Sequence, residues 1–271
     1  MSETHRGAIL LSAVVILLAV AASPAGAALT FSWSFETDTP EVIPAGSDST
    51  PRYYPTAAVR TDAAAHGGSY SLNTTGAYHL AEFENATNSD VWASTDEGAI
   101  SLWFMYNGTF TGGRMLGMIT GKCVTEPSLD TNDGLSLAFR NNTTQMRLTY
   151  GWIYESGYHT TYITYSNPTS WVEGQWYNVV FKWNADTAPH LYLQVNGGTA
   201  VTGGVAFHPT TLETWHQLLW GNDTGSAGAG TSLYVDDVQV YNDYAMTVPE
   251  PASMLLVLGG LGLIRTLSKR R

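Results

Sequence analysis

The sequence predicts an all-β protein with the architecture of a sandwich or a barrel. From Leu29 to Tyr244 there is no sustained 3.6-residue apolar period, and short β-prone runs alternate with Gly- and Asn-rich turns. Charged residues make up 13% of the 271 residues, roughly half the ~25% that is usual in soluble domains. This composition argues against charge-rich helical bundles and coiled coils. About a dozen short strands at such spacing are typical of sandwiches and barrels.

The predicted strands follow one another with turn signals between them. They are Thr30–Phe35, Ser69–Asn73, Tyr78–Phe83, Ala99–Tyr106, Arg114–Ile119, Gly134–Arg140, Gln145–Tyr150, Thr160–Tyr165, Gln175–Trp183, His190–Val195, His216–Trp220 and Ser232–Tyr241. Glycine- and asparagine-rich turns separate them at 107–108, 112–113, 132–134, 141–142, 196–198 and 203–204. Asn196-Gly197-Gly198 is a predicted hairpin tip, because Asn and Gly adopt positive φ at little cost. No linker divides the region, which predicts one domain.

The last predicted strand has an apolar face that includes an acidic residue. Alternation places Val235, Asp237 and Gln239 on one side and Asp236, Val238 and Val240 on the other. Asp236 should therefore point inward with the two valines unless the strand bends. A buried carboxylate needs a cation or hydrogen-bond donors, so this position predicts one or the other.

The N-terminal residues 1–27 have the pattern of a secretory signal peptide. Arg6 supplies a positive charge, an apolar run follows from Ala8 to Ala22, and Ala25-Gly26-Ala27 is a cleavage pattern of small residues. This pattern predicts an exported protein. An uncleaved membrane anchor is the alternative.

The C-terminal segment 248–271 has a second targeting pattern. Pro249-Glu250-Pro251 precedes a mostly apolar stretch, 252–264, and the basic residues Arg265, Lys269, Arg270 and Arg271. Thirteen helical residues cover only about 20 Å of a ~30 Å hydrocarbon core, and the basic end should stay cytoplasmic. This order resembles the PEP-CTERM sorting signal of Gram-negative bacteria. The resemblance implies recognition and cleavage by an exosortase, a transient anchor in the inner membrane, and delivery to the cell surface or an extracellular polysaccharide matrix; a plain membrane anchor is the alternative.

The charge of the region between these ends excludes one class of partner. The chain carries a net charge of −11, and residues 28–248 alone hold seven basic against twenty-one acidic residues, a net −14. Nucleic-acid binding depends on Lys and Arg at the phosphates, so we expect none. Cys123 is the only cysteine, which excludes an intrachain disulfide framework.

Four motifs between the two ends resemble the laminin-G-like (concanavalin A-like) family. They are the paired segments 176–183 and 190–197, the closing Leu233–Asn242 segment, Gly98–Phe104, and Gly67-Gly68-Ser69. The resemblance implies a jelly-roll sandwich of two antiparallel sheets over residues 28–247. It also implies a structural calcium ion held by Glu36, Asp236 and Asp237; alternatively, these acids accept N–H bonds from loops or face water.

No catalytic residue is predicted, although one acidic pattern needs consideration. Glu36-Thr-Asp38-Thr-Pro40-Glu41 formally fits the E-x-D-x-(x)-E strand of family-sixteen glucanases, which hold two carboxyls ~5–5.5 Å apart. Pro40 would interrupt such a strand, and threonines stand where apolar residues would pack. The sequence has no zinc-ligand spacing, nucleophile elbow or nucleotide-binding glycine loop, so we expect no organic cofactor.

An aromatic cluster is the candidate ligand site. Residues 150–171 hold seven large rings, and we select Trp152, Tyr154, Tyr158, Tyr162 and Trp171 as a glycan-binding platform. Sugar faces stack on flat rings, but aromatic residues also fill sandwich cores, and both interpretations stay open. The expected function is non-catalytic binding of exopolysaccharide or surface glycans. The alternatives are a polysaccharide hydrolase or lyase and a purely structural matrix protein.

Overall fold

The computed structural model describes twelve segments of the chain, all within 28–245. They are residues 28–43, 52–54, 60–74, 79–84, 96–108, 115–120, 134–139, 144–154, 157–167, 171–207, 217–222 and 231–245. Within these segments the chain forms strands, turns and loops and no helix. None of the described residues belongs to a helix long and apolar enough to cross a bilayer. The predicted signal peptide and sorting segment lie outside the described residues.

In the described segments, fifteen strands, numbered β1 to β15 in chain order, form two antiparallel sheets. The eight-stranded sheet contains β1 (Leu29–Trp33), β3 (Arg60–Thr61), β4 (Ser71–Asn73), β6 (Glu97–Gly108), β11 (Trp176–Asn184), β12 (Leu191–Val195), β13 (Val201–Gly203) and β15 (Thr231–Tyr241). The seven-stranded sheet contains β2 (Arg52–Tyr54), β5 (His79–Glu84), β7 (Met115–Thr120), β8 (Gly134–Phe139), β9 (Gln145–Tyr154), β10 (Gly157–Ser166) and β14 (Gln217–Asn222). The predicted all-β sandwich is confirmed.

Consecutive strands often lie in different sheets, so the chain passes repeatedly from one layer to the other. The first sheet runs β13-β12-β11-β6-β15-β4-β3 with β1 also paired to β15, and the second runs β10-β9-β8-β7-β14-β5-β2. β10 is therefore an edge strand of the second sheet, and β9 and β8 are the next two strands from that edge. This edge carries the surface described below.

The core lies between the sheets and is rich in aromatic residues. Trp33 and Trp183 have no exposed surface, and Phe104 packs against Phe139 and Tyr177 with ring centroids 5.3 and 5.4 Å apart. Burying a large apolar side chain contributes roughly 1.5–3 kcal/mol relative to leaving it exposed. Because one side of each long strand supplies these residues, the other side faces outward.

The predicted hairpin tip is confirmed between β11 and β12. Asn196 and Gly197 have φ angles of 49° and 64°, the left-handed conformation for which the Asn-Gly pair was predicted. The amide N–H of Asn178 donates to Oδ1 of Asn196 at 2.8 Å and fixes the turn to the first strand. The two strands pair in register from Trp183 with Leu191 onward.

The predicted faces of the last strand are wrong because β15 contains a bulge. Asp236 pairs with Trp103 and Gln239 with Ser101, so two residues of β15 oppose Leu102 alone. Val235 is buried in the core before the bulge, and Val238 is buried there after it. The inward-pointing residues of β15 are therefore odd-numbered before the bulge and even-numbered after it. Asp237, at the bulge, has a φ of 48°. Asp236 lies on the opposite side of the strand from Val235, beneath a loop.

Candidate functional site

A loop at residues 64–70 covers the bulge of β15 and buries Asp236 completely. The amide N–H groups of His66 and Gly67 donate to Oδ2 of Asp236 at 2.8 and 3.4 Å. The N–H of Asp237 donates to the other oxygen, Oδ1, at 2.8 Å. Burial, and next the neighbouring charge of Asp237, raise the pKa of Asp236 to about 7.

Glu36 holds the far end of the same loop. Its Oε1 accepts the N–H groups of Ser69 and Tyr70 at 2.7 and 2.9 Å, and these bonds lower the pKa of Glu36. Gly68 has a φ of 67°, and a Cβ there would lie 2.3 Å from Oε1 of Glu36. The Gly-Gly-Ser motif thus has a physical reason: only glycine lets the loop backbone approach this carboxylate in that conformation.

Arg60 supports Glu36 from below the loop. Its guanidinium donates to the carbonyl oxygens of Phe35 and Glu36 and forms an ion pair with Asp38 at 2.9 Å. The same group lies 3.9 Å from the ring centroid of Tyr70. The chain after β1 is therefore held by Arg60 of β3 and by the end of the loop at Ser69 and Tyr70.

The three predicted calcium ligands meet at this loop without forming a metal-binding group. The carboxylates of Glu36 and Asp236 both accept N–H bonds from the loop. Asp237 instead contacts Nδ1 of His66 with its Oδ2 at 2.7 Å. Across the described segments, no three His, Cys, Asp or Glu side chains are arranged to hold a metal ion. Calcium needs six to eight oxygen ligands, so backbone oxygens would have to complete any such site, and calcium stays a prediction.

His66 also covers two tryptophans on the outer face of the eight-stranded sheet. Its ring stacks on Trp103 with centroids 3.6 Å apart and meets Trp176 edge-on at 5.8 Å. Trp103 and Trp176 keep part of their surface exposed, whereas Trp183 is in the core.

The glucanase-like acids do not share a strand face. β1 ends at Trp33, and the pattern that starts at Glu36 lies in the following loop. The side chain of Asp38 is 81% exposed and pairs with Arg60. Glu41 instead accepts bonds from the N–H and hydroxyl of Ser34. The carboxylates thus have separate partners, as the interruption by Pro40 predicted.

The predicted aromatic platform is placed on β9, β10 and the segment that follows. In the antiparallel register of these strands, Trp152 lies opposite His159 and Tyr158 opposite Ile153. The side chains of Trp152, Tyr154 and Tyr158 are outside the description. Tyr162 is 52% exposed.

Trp171 is a core residue. It is 4% exposed and packs edge-on against Phe104 and Tyr177, with ring centroids 5.2 and 5.0 Å away. A ring enclosed in this way offers no face to a sugar. Core packing, the alternative interpretation of the aromatic cluster, applies to this residue, and we leave it out of the surface proposed below.

The outer face of β9 and β10 brings together residues that we name the Tyr162 surface. It consists of Arg147, Thr149, Thr160, Tyr162 and Thr164. Tyr162 lies opposite Thr149 and Arg147 opposite Thr164, so the two long side chains meet diagonally, with the guanidinium carbon 4.1 Å from the ring centroid. Inward-facing Leu148 and Ile163 are buried, which establishes that this face is the outer one.

The sequence-based selection included only Tyr162 of this surface, and Arg147 is the charged member that it missed. Polar Gln145, Arg147 and Thr149 alternate with buried Met146, Leu148 and Tyr150, so its outward direction was readable from the pattern. Its contact with Tyr162 was not, because that depends on the register between two strands. Nε of Arg147 is buried and has no hydrogen-bond partner among the described residues.

Two antiparallel sheets with the core between them define a β-sandwich. A family model described as the concanavalin A-like lectin/glucanases superfamily (Laminin_G_3) matches residues 75–250. The chain belongs to this superfamily, and the predicted jelly-roll class is confirmed. No curated protein matches the chain significantly.

Solved structures with a similar fold include binding domains of bacterial toxins. The botulinum neurotoxin serotype D binding domain is 12% identical, with a TM-score of 0.55 over 86% of this chain and 51% of the toxin chain. The serotype G binding domain is 9% identical with the same TM-score and the same coverage. A serotype D ligand binding domain in complex with N-acetylneuraminic acid is 11% identical, with a TM-score of 0.52 over 86% of this chain and 50% of that one. The chain spans about half of these structures, and at such identity the likeness shows the fold alone.

Proposed function

We propose that the protein is a non-enzymatic carbohydrate-binding module that acts at the bacterial cell surface or in an extracellular matrix, and that the Tyr162 surface contacts the glycan. One observation carries this proposal: Tyr162 is 52% exposed on an outer sheet face, with the guanidinium carbon of Arg147 over its ring. The superfamily and the sugar complex of a similarly folded toxin domain support the choice of ligand class.

The chemistry of the surface suits a sugar. Arg147 lies over one face of the Tyr162 ring, and the exposed remainder of the ring offers an apolar area to the C–H face of a pyranose. The hydroxyls of Thr149, Thr160 and Thr164 can bond to sugar hydroxyls. The three threonines are short, so Tyr162, which is 52% exposed, projects beyond them. A glycan chain lying across β9 and β10 can therefore reach ring and hydroxyls together.

The non-enzymatic part of the proposal is supported by the separation of the acids. The carboxylates of Asp38 and Glu41 have different partners, and both lie in a loop rather than on one strand face. Retaining glycoside hydrolysis needs two carboxyls about 5–5.5 Å apart across the scissile bond. The solved structures described above are binding domains, whereas the superfamily also includes glucanases.

A panel of immobilised polysaccharides tests the function class. We expect the protein to be retained by at least one matrix polysaccharide and to release no reducing ends from it during prolonged incubation. Release of reducing ends would favour a hydrolase. Release of unsaturated products that absorb ultraviolet light would favour a lyase. Retention by none of the polysaccharides would favour a purely structural matrix protein.

Export and sorting complete the proposal and rest on the two terminal patterns. A signal peptide at 1–27 delivers the chain across the inner membrane, and Pro249-Glu250-Pro251 marks the segment that an exosortase removes. Intact-mass measurement of the protein secreted by a Gram-negative host that encodes an exosortase tests both. We expect loss of both ends, and replacement of Pro249 and Pro251 by alanine should retain the tail. A tail kept by the unaltered protein would contradict the sorting proposal.

Calcium at the loop of residues 64–70 remains a proposal of its own. Its support is that Glu36, Asp236 and Asp237 all contact this loop and that the carboxylate of Asp236 is buried. When bound, the ion would neutralise this acidic cluster and hold the loop on the sheet. Urea unfolding at several pH values, with and without calcium, tests whether the ion binds at this loop.

A further inference from the structure

We propose that the glycan bound at the Tyr162 surface is acidic and that Arg147 binds its carboxylate. This inference rests on the proposed function and specifies the ligand class of the same site. It follows from the charge of the protein, the partners of its cations and the position of the guanidinium over the Tyr162 ring.

Arg147 differs from the other cations whose side chains the structure describes. Arg60 is paired with Asp38 at 2.9 Å, and Lys182 lies in the field of Asp243. Arg147 has a ring contact with Tyr162 but no ion pair or hydrogen bond among the described residues. Residues 28–248 hold seven basic and twenty-one acidic residues, so a cation without an acidic neighbour is unusual in this region.

The immediate surroundings of Arg147 contain no competing carboxylate among the described residues. Its cross-strand neighbours are Thr164 on β10 and Ala138 on β8, and Thr149 follows on the same face. An approaching anion therefore meets hydroxyls and a guanidinium, whereas the acidic loop at Asp236 and Asp237 lies on the other sheet. The attraction is local and needs no basic patch.

The contact with Tyr162 positions the guanidinium before an anion binds. Its carbon lies over the ring of Tyr162, 4.1 Å from the centroid, which holds the group beside the exposed ring. Arginine presents two parallel N–H donors to a carboxylate, which a lysine cannot do. Nε is buried without an acceptor, so the charge is already partly desolvated, and a carboxylate at the terminal nitrogens would compensate it.

The test compares polysaccharides that share a backbone and differ in charge. Full-length protein in mild detergent is titrated with polygalacturonate, with its methyl-esterified neutral form, with dextran sulfate and with dextran. We expect polygalacturonate to bind at least about tenfold more tightly than the esterified form, and Arg147→Gln to abolish that difference. Arg147→Lys should restore only part of it, because the charge returns without the paired donors. Thermal melting of each variant verifies that the fold is kept.

Lys182→Gln provides the matched control, because it removes one positive charge from the outer face of the other sheet, where Lys182 lies 5.1 Å from the ring of Tyr192. The inference is overturned if esterified and free polygalacturonate bind equally and Arg147→Gln changes neither, a result that leaves carbohydrate binding intact. It is also overturned if both charge variants weaken binding equally, which indicates unspecific ionic adhesion. Binding of dextran sulfate without polygalacturonate would assign the site to sulfate and contradict the carboxylate. If no polysaccharide binds, the proposed function itself fails.

Discussion

The buried carboxylate of Asp236 makes the stability of the metal-free protein depend on pH in an unusual direction. Its ordinary pKa of 3.8 rises to about 7 in the folded protein. The folded state therefore binds the proton more tightly than the unfolded chain does, so the contribution of Asp236 to stability is greatest below about pH 4. It falls as pH rises from about 4 to 7 and stays constant above that. Three pKa units at ~1.36 kcal/mol each give a loss of at most about 4 kcal/mol.

Urea unfolding in the presence of a chelator, at steps between pH 4.5 and 8, measures this loss. Glu36 acts in a different window: its pKa is lowered from 4.5, so its contribution is complete above that pH and is lost only on acidification. Asp236→Asn removes the titration and should flatten the curve whatever its absolute stability. Constant or rising stability of the unaltered protein between pH 5 and 7.5 would refute the reasoning.

The same titration with calcium tests the predicted metal. A bound divalent cation favours the ionised carboxylate and lowers its pKa, so millimolar calcium should remove the fall in stability between pH 4 and 7. Magnesium at the same concentration serves as the control, because it prefers a smaller and stricter coordination shell. Curves that coincide with and without calcium would contradict the calcium proposal and leave the pH argument unaffected.

Two further predictions concern single positions. Gly68→Ala should lower the free energy of unfolding by about 1–3 kcal/mol or more, because φ is 67° and the new Cβ meets Glu36 at 2.3 Å. Gly174→Ala is its control, since φ is 75° there but no atom lies within 4 Å, and an equal loss in both would contradict the contact argument. Trp171→Ala should cost about 3–5 kcal/mol as a core substitution, whereas Tyr162→Ala should change stability by about 0.5 kcal/mol or less; equal losses in chemical denaturation would contradict the assignment of the two rings.

The parts of the fold that the sequence predicts are those set by local chemistry. The hairpin tip at Asn196-Gly197 needs only residues that adopt positive φ, and it lies where predicted. Alternation in the strand that contains Met146 and Leu148 depends on one strand alone. The Gly67-Gly68-Ser69 motif was recognised, but its reason became clear only with Glu36 in place.

The parts that could not be predicted depend on pairing between strands. The bulge at Asp237 arises from the register of β15 on β6, and it reverses the faces that simple alternation assigns to the last strand. The position of Arg147 over Tyr162 depends in the same way on how β9 pairs with β10. Trp171 follows a strand in an irregular segment, where no period indicates burial. The short strands β2, β3 and β13 have two or three residues each, too few for a pattern.

The most direct test of the central claim is the affinity of the full-length protein for the polysaccharide it retains best, measured for the unaltered chain, Tyr162→Ala and Tyr192→Ala. Tyr192 is a matched control because its ring also lies under a cation, Lys182, on the outer face of the other sheet. We expect Tyr162→Ala to weaken binding about tenfold or more, which corresponds to ~1.4 kcal/mol, and Tyr192→Ala to leave it unchanged. Unchanged affinity in Tyr162→Ala would contradict the account.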